Sequence, residues 1–196
     1  MRRIVVSAFL TLDGVMQAPG GAQEDTEGGF QHGGWHLPYF DDDASQIMDE
    51  RMPGLEALLL GRKTYDIFAG YWPFQPDDDP TANQLNSTRK YVVSTTLAKA
   101  DWNNSTLIKA NVPEEIARLK QTGSGDIWVF GSSELAQALM EHDLVDEYLL
   151  WIHPLALGDG KRLFKDSGPK TSLKLVDTKT TGSGVLVLTY RPERQE

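Results

Sequence analysis

Short apolar runs alternate with amphipathic segments along most of the chain. Ile4–Leu10 is apolar except for Ser7, and Ala57–Leu60 is apolar throughout. Both runs are too short for buried helices, which is typical of strands covered on both faces. The same pattern predicts four more strands, at Tyr91–Ser94, Thr106–Ile108, Asp126–Phe130 and Glu147–Ile152.

Helical periodicity appears between these strands. Residues 40–52 place Phe40, Ala44, Ile47, Met48 and Met52 on roughly one face, and Pro53-Gly54 ends that helix. Three further helices are predicted, at Thr64–Ala69, from the N-cap Asn111 and Pro113 to Gly123, and at Glu134–Glu141.

The C-terminus breaks the alternation, because Leu173–Lys179 and Val185–Tyr190 are two strands joined by the turn sequence TTGSG. Strands alternating with helices, followed by a hairpin, predict an α/β fold with a mainly parallel central sheet flanked by helices and an antiparallel C-terminal hairpin at its edge.

No repeat or linker divides the chain, so residues 1–196 are expected to form a single domain. The glycine-rich segment 17–38 and the Pro/Asp-rich segment 71–80 are predicted loops.

Composition narrows the functional classes. The formal net charge is −9, which disfavours a nucleic-acid partner, because phosphate backbones require clustered cations. There are no cysteines, so disulfides and a thiolate nucleophile are excluded. No apolar segment approaches the ~18 residues of a membrane span, and the short apolar run at the N-terminus is better explained as a first strand than as a signal peptide. We expect a cytoplasmic protein.

The stretch LLLGRKTYD, residues 58–66, carries the first candidate site. Gly61 ends a predicted strand, and Arg62, Lys63 and Thr64 begin the next helix. Ligands of α/β sheets bind beyond the carboxyl ends of the strands, and a helix N-terminus favours anions. Two cations are unfavourable at this end of a helix, so an anionic ligand such as a phosphate is one interpretation. A solvated basic turn paired with nearby acids is the other.

Two further strand ends repeat this arrangement. VFGSSELAQAL, residues 129–139, runs from a buried strand through Gly131, Ser132 and Ser133 into a helix, and its backbone N–H groups could cradle a diphosphate. An ordinary N-capped helix is the alternative. YVVST places Ser94 and Thr95 at the end of a third strand.

These three segments, in this order, resemble the dihydrofolate reductase fold. SAFLTLDG, residues 7–14, and HPLALGDGKRLF, residues 153–164, are similar to the reductase domain of the riboflavin-pathway deaminase–reductase, the RibD C-terminal domain. The resemblance covers about residues 3–190 and suggests a stand-alone, single-domain member. It implies an NADPH-dependent reductase, comparable to 5-amino-6-(5-phosphoribosylamino)uracil reductase of riboflavin biosynthesis.

The resemblance also assigns cofactor residues. The phosphates of the cofactor would be held by Gly61, Arg62, Lys63 and Thr64. The 2′-phosphate of NADPH would be surrounded by Arg62, Ser94 and Thr95. Ala8, with its neighbours Ser7 and Phe9, would border the nicotinamide through backbone atoms. The pyrophosphate would be wrapped by Gly131, Ser132, Ser133, Glu134 and Leu135.

Two positions depart from the folate reductases. Those enzymes carry Gly-Gly with a cis peptide after the fifth strand, where this chain has Gly131-Ser132. They also hold the pterin with an acid on the first helix. Asp43 has the closest spacing and is the candidate catalytic residue, although acids at a helix start are commonly caps or dipole partners.

The substrate is expected to be a small heterocycle. Five aromatic residues could stack on a flat ring or could instead be core or dimer contacts. They are Trp35, Tyr39, Phe40, Tyr71 and Trp72. If the substrate is phosphorylated, Lys161 and Arg162 are candidate cations, with a solvated loop as the alternative.

Other functions remain open from the sequence. His32 and His36 have metal-like spacing, but no further ligands cluster nearby, so no metal is predicted. His153 is a candidate proton donor or a structural histidine. A homodimer is expected from the family. The alternative functions are a true dihydrofolate reductase and a nucleotide-binding protein of this fold without turnover.

Overall fold

A computed structural model describes residues 1–164 and 166–193. Eight strands form one sheet in the order β4-β3-β2-β5-β1-β6-β8-β7. Their bounds are Ile4–Thr11 (β1), Leu55–Gly61 (β2), Arg89–Val93 (β3), Ser105–Ile108 (β4), Asp126–Phe130 (β5), Glu147–His153 (β6), Leu173–Thr180 (β7) and Leu186–Pro192 (β8).

Strands β1 to β6 pair in parallel, whereas β8 runs antiparallel to both β6 and β7. This is the predicted α/β fold with a mainly parallel sheet and an antiparallel C-terminal hairpin. Because β1 to β6 point the same way, all their carboxyl ends lie at one edge of the sheet.

Within the described residues, five α-helices cover the two faces of the sheet. They are Asp42–Arg51 (α1), Arg62–Ala69 (α2), Pro80–Ser87 (α3), Val112–Lys120 (α4) and Ser133–Glu141 (α5). No helix in the described ranges has the length and apolar character needed to cross a membrane.

Alternation along the strands separates two cores. In β1, Ile4, Val6, Ala8 and Leu10 pack on the side of α4 and α5. Val5 and Phe9 pack on the other side, against residues of α1, α2 and α3. The strands are therefore apolar on both faces, which explains why their sequences are continuous apolar runs.

The main differences from the predicted elements lie at helix starts. Helix α3 was not predicted, because the predicted loop 71–80 ends at its first residue and no element was assigned directly after it. Asp79 caps the helix through the N–H of Ala82, and Pro80 occupies its first position. Helix α2 begins at Arg62 rather than Thr64. Asn111 precedes α4 as predicted, although it adopts a left-handed conformation and makes no side-chain cap hydrogen bond.

The predicted loop 17–38 contains two short 3-10 turns, Glu27–Gly29 and Leu37–Tyr39. Its own small core of Val15, Ala18, Phe30 and Trp35 fixes it. The Trp35 indole donates to the Gln17 carbonyl at 2.7 Å, so the loop is anchored close to the end of β1.

Candidate active site at the carboxyl edge of the sheet

The ends of β2 and β5 are joined by a serine. The Ser132 hydroxyl accepts the N–H of Gly61 at 3.0 Å and donates to the Thr64 hydroxyl at 2.7 Å. A Cβ on Gly61 would lie 3.2 Å from the Ser132 Oγ, a tight contact that glycine avoids. Five of the predicted cofactor residues are thus brought together, namely Gly61, Thr64, Gly131, Ser132 and Leu135.

This junction places two helix N-termini side by side. Neither the N-cap of α2, Gly61, nor that of α5, Ser132, makes a side-chain cap hydrogen bond within its own helix. Gly131 and Ser132 both have positive φ, 54° and 55°, and the described peptide bonds are all trans. The chain therefore turns sharply from β5 into α5, and the first N–H groups of both helices lie at the same edge of the sheet.

Both cationic residues that were predicted to bind phosphate, Arg62 and Lys63, have acidic partners. Arg62 Nε donates to Asp66 Oδ2 at 2.6 Å within α2, and Lys63 pairs with Glu27 of the long loop. These are the nearby acids of the alternative interpretation. Both pairs are substantially exposed, with side-chain exposures of 40% and 49% for the first and 60% and 57% for the second. Such pairs are worth only about 0–1 kcal/mol, so an anionic ligand could compete with either.

Ser94 and Thr95 follow β3 at the same edge. The buried Ser94 hydroxyl accepts the N–H groups of Leu97 at 3.0 Å and Thr96 at 3.3 Å, which closes a local turn. Thr95 is exposed. The Ser94 oxygen is therefore already an acceptor, and its remaining capacity is that of a donor.

Ala8 is buried in β1 between β5 and β6, so it can face a ligand only through its backbone. The next residue, Phe9, is half-buried and lies at the centre of an aromatic cluster. His36 stacks on Phe9 at 4.6 Å, and Trp151 and His153 meet its ring edge-on at 5.7 and 5.6 Å.

The five aromatic residues proposed from the sequence fall into two groups. Trp35 and Tyr39 contact His153, and Phe40 contacts His36. Tyr71 and Trp72 pack on each other, and Trp72 also packs on Phe68 of α2. Tyr39 and Trp72 join the core on the α1–α3 side of the sheet, which connects both groups to one face.

Three buried nitrogens on this face have no hydrogen-bond partner in the described part of the chain. They are Nδ1 of His36 and the indole Nε1 atoms of Trp128 and Trp151. An unpaired buried polar group costs about 1–3 kcal/mol, so such groups are rare in native proteins. No pattern in the sequence marked these atoms, because pairing is decided by tertiary packing.

The histidines of the cluster are neutral at physiological pH. Burial lowers the pKa of His36 to about 4, and nearby His153 contributes to the shift. Burial also lowers the pKa of His153, against the opposing effect of its hydrogen bonds to backbone carbonyls. His153 Nδ1 lies 3.0 Å from the Trp151 oxygen and 3.2 Å from the Leu10 oxygen, so Nδ1 carries the proton and Nε2 is the acceptor.

Asp43 lies in the first turn of α1, where its carboxylate accepts the N–H of Gly182 at 2.8 Å. Asp41 caps the same helix and accepts the N–H of Ser183 at 2.7 Å. Asp43 therefore fastens the β7–β8 turn beside the end of β6. Its catalytic role stays a prediction.

The segment after β6 contributes two cations. Lys161 pairs with Asp25 and Glu27 of the long loop, each at 2.5 Å, and Arg162 donates to the Asp13 carbonyl at 3.1 Å.

The two histidines with metal-like spacing, His32 and His36, pack on different rings: His32 on Phe30 and His36 on Phe9. In the described ranges no three His, Cys, Asp or Glu side chains group as metal ligands would.

Comparison with protein families shows to which family the chain belongs. Residues 2–187 match the model of the RibD C-terminal domain. The chain belongs to the RibD C-terminal domain family. Two members of similar length come from Bacillus subtilis (strain 168). YyaP is 33% identical over 193 residues, covering 96% of this chain and 94% of YyaP, and YwjB is 27% identical over 184 residues, covering 94% and 95%.

Solved structures show the fold of this RibD C-terminal domain. A Shewanella sp. PV-4 protein named for riboflavin biosynthesis superposes with a TM-score of 0.68 at 21% identity, covering 98% of this chain and 99% of its own. A pyrimidine reductase-like protein of Corynebacterium diphtheriae gives 0.62 at 13%, with coverages of 99% and 93%. Dihydrofolate reductase of Enterococcus faecalis, solved with NADP(H), gives 0.59 at 15%, with coverages of 98% and 97%. The dihydrofolate reductase-like fold is thus confirmed.

Proposed function

We propose that the protein is an NADPH-dependent reductase that transfers a hydride to a heterocyclic substrate of the riboflavin-pathway type. The observation that carries this proposal is the junction of Gly61, Thr64 and Ser132. It brings two helix N-termini without side-chain caps to one edge of a reductase-like fold. Adjacent N-termini of this kind suit the two phosphates of a dinucleotide.

The chain's residues would bind and align NADPH, which supplies the hydride when bound. The backbone from Gly131 to Leu135, with the start of α2, would hold the pyrophosphate. Arg62 would exchange Asp66 for the 2′-phosphate, with Ser94 as a donor and exposed Thr95 beside it. The backbone of Ala8 would border the nicotinamide.

The substrate would lie against the cluster around Phe9. A flat ring is favoured there because the half-buried ring of Phe9 stacks on His36 and meets Trp151 edge-on, so a ligand at Phe9 would extend an aromatic cluster. The unpaired indole N–H of Trp151 suits a ring carbonyl, and the neutral imidazole of His36 can donate or accept at its unpaired Nδ1. A pyrimidine with carbonyl and N–H groups meets both requirements. Reduction at C1 of an opened ribose on such a pyrimidine would convert a ribosylamino to a ribitylamino group.

Binding and turnover assays distinguish this function from its alternatives. NADPH binding is measured by fluorescence, and its oxidation is followed by absorbance with 5-amino-6-(5-phosphoribosylamino)uracil, simpler pyrimidines or dihydrofolate. Oxidation with a pyrimidine supports the proposal, and oxidation with dihydrofolate alone would favour a true folate reductase. Tight binding without oxidation of any substrate would favour a nucleotide-binding protein. Failure to bind NADPH would overturn the assignment.

We also propose that the reductase forms a homodimer through the β7 edge and acts in the cytoplasm. Leu175 and Val176 of β7 and Leu186 of β8 are large apolar residues exposed by 47%, 45% and 40%. A partner copy would cover them. Light scattering is expected to give twice the chain mass for the wild type, and Val176→Lys is expected to shift the protein toward monomer. A monomeric wild type would contradict this arrangement.

A further inference from the structure

Two lysines from distant parts of the chain meet on one carboxylate oxygen. Lys63 of α2 and Lys161 of the segment after β6 both bind Oε2 of Glu27. Two ammonium groups on the same oxygen repel each other, and the Glu27 carboxylate between them offsets that repulsion. The arrangement is therefore an anion site, and Glu27 is the anion that fills it.

The backbones of both lysines are positioned by contacts that do not involve the Glu27 side chain. Lys63 lies in the first turn of α2, next to Thr64, which is hydrogen-bonded to Ser132. The Lys161 N–H donates to the Gln17 side chain at 3.0 Å, and the Lys161 ammonium is also bound to Asp25. Two cations and the N-terminus of α2 therefore converge beside the junction.

Glu27 has an exposed side chain and a separately fixed backbone. Its side chain is 57% exposed, and the Gln17 amide holds the loop through the backbone carbonyls of Asp25 and Glu27, at 3.1 and 2.9 Å. The pKa of the Glu27 carboxyl is lowered to about 2 by Lys161 and Lys63, so it is ionised at neutral pH. The carboxylate can leave while its backbone stays in place.

We propose that Lys63 and Lys161 form a diphosphate-binding site for the cofactor, which Glu27 fills from within the chain and yields when the cofactor binds. This inference rests on the proposed function. A diphosphate carries more charge than one carboxylate and offers an oxygen to each ammonium and to the helix N–H groups, so it displaces Glu27. Lys161 thereby becomes a cofactor residue rather than a substrate-phosphate residue, and Glu27 an internal competitor.

Dissociation constants for NADPH and inorganic pyrophosphate test this site. Glu27→Gln is expected to tighten both about three- to tenfold, because the competing charge is removed while the amide keeps the shape. Lys161→Gln is expected to weaken both about tenfold, since a charge-assisted contact is lost. The matched controls Glu193→Gln and Lys174→Gln are exposed changes at the opposite edge of the sheet and should leave both constants unchanged.

The outcomes separate this inference from the proposed function. If NADPH binds equally well to wild type, Glu27→Gln and Lys161→Gln, the network only fastens the loop and the inference is overturned, while the reductase proposal stands. If NADPH does not bind at all, the reductase proposal fails and pyrophosphate alone decides the anion site. Circular dichroism checks that each variant is folded, and Glu27→Ala replaces Glu27→Gln if that variant is not.

Discussion

Ser132 and Gly61 hold the carboxyl ends of β5 and β2 together through one hydrogen bond, from the Gly61 N–H to the Ser132 hydroxyl at 3.0 Å. The same hydroxyl donates to Thr64 at 2.7 Å, so one side chain fixes the starts of α2 and α5 relative to each other. The sequence marked both residues as strand-end candidates but did not show that they pair. Their pairing positions the edge on which a dinucleotide would lie.

Ser132→Ala is expected to lower the free energy of unfolding by about 1–2 kcal/mol, because the N–H of Gly61 and the hydroxyl of Thr64 both lose a partner. Urea denaturation measures the change. Ser133→Ala, one residue further on, is the control and should stay within about 0.5 kcal/mol of wild type. Equal losses in the two variants would show that the hydroxyl of Ser132 is not what joins the strand ends.

Arg62→Ala is expected to weaken NADPH binding about tenfold or more and NADH binding far less, since only NADPH carries the 2′-phosphate assigned to Arg62. Titration of the wild type and the variant with both nucleotides measures the difference. Arg118→Ala is a suitable control, because Arg118 also pairs with an acid on its own helix, Glu115. An equal effect on both nucleotides would contradict the role of Arg62.

The buried histidine His36 should make stability sensitive to mild acid. Its pKa is about 4 in the folded protein and about 6.5 when unfolded, so the unfolded chain takes up a proton first as the pH falls. Stability is complete above pH ~6.5 and declines toward pH ~4, by an amount on the order of 1–3 kcal/mol for this residue.

His36→Phe should flatten that decline, because phenylalanine keeps the stack on Phe9 and cannot titrate. Unfolding curves between pH 6.5 and 5 separate the histidines from the carboxyls, whose usual pKa values lie near 4. The part of the decline that His36→Phe removes belongs to His36, and the pKa of buried His153, which is also lowered, accounts for a remaining part. The exposed His142 is the control, and His142→Gln should retain the full pH dependence. The prediction fails if both variants decline as steeply as wild type.

Asp43→Asn tests the predicted catalytic acid. Asparagine can still accept the N–H of Gly182 through its amide oxygen, so stability should change by less than about 1 kcal/mol. If Asp43 holds the substrate, kcat/KM falls about tenfold or more while the affinity for NADPH is kept. Unchanged kinetics would restrict Asp43 to fastening the β7–β8 turn.

The sequence predicted the sheet well because each strand is buried on both faces, so Ile4–Leu10 and Ala57–Leu60 could hardly be anything else. It also located the glycine and hydroxyl residues that meet at the junction, since strand ends of a parallel sheet share one edge. It did not predict helix α3, although Asp79 and Pro80 are an N-cap and a first-position proline, because the surrounding Pro/Asp-rich segment was interpreted as a loop.

Contacts between segments far apart in the sequence could not be predicted from local sequence patterns. The pairing of Glu27 with Lys63 and Lys161 depends on how the long loop folds over the sheet edge. The stack of His36 on Phe9 likewise joins a loop to a strand. Spacing along the chain carries no signal for such pairs, since their register is set by the tertiary fold.

The position of β1 has a consequence for how the protein forms during synthesis. Strand β1 comes earlier along the chain than the other strands of this sheet, yet it lies between β5 and β6, where Ile4 aligns with Ile127 and Val5 with Glu147. The apolar strand β1 therefore stays unpaired until β5 and β6, its neighbours in the sheet, have been translated. Folding should be slow and should profit from chaperones that shield this N-terminal segment.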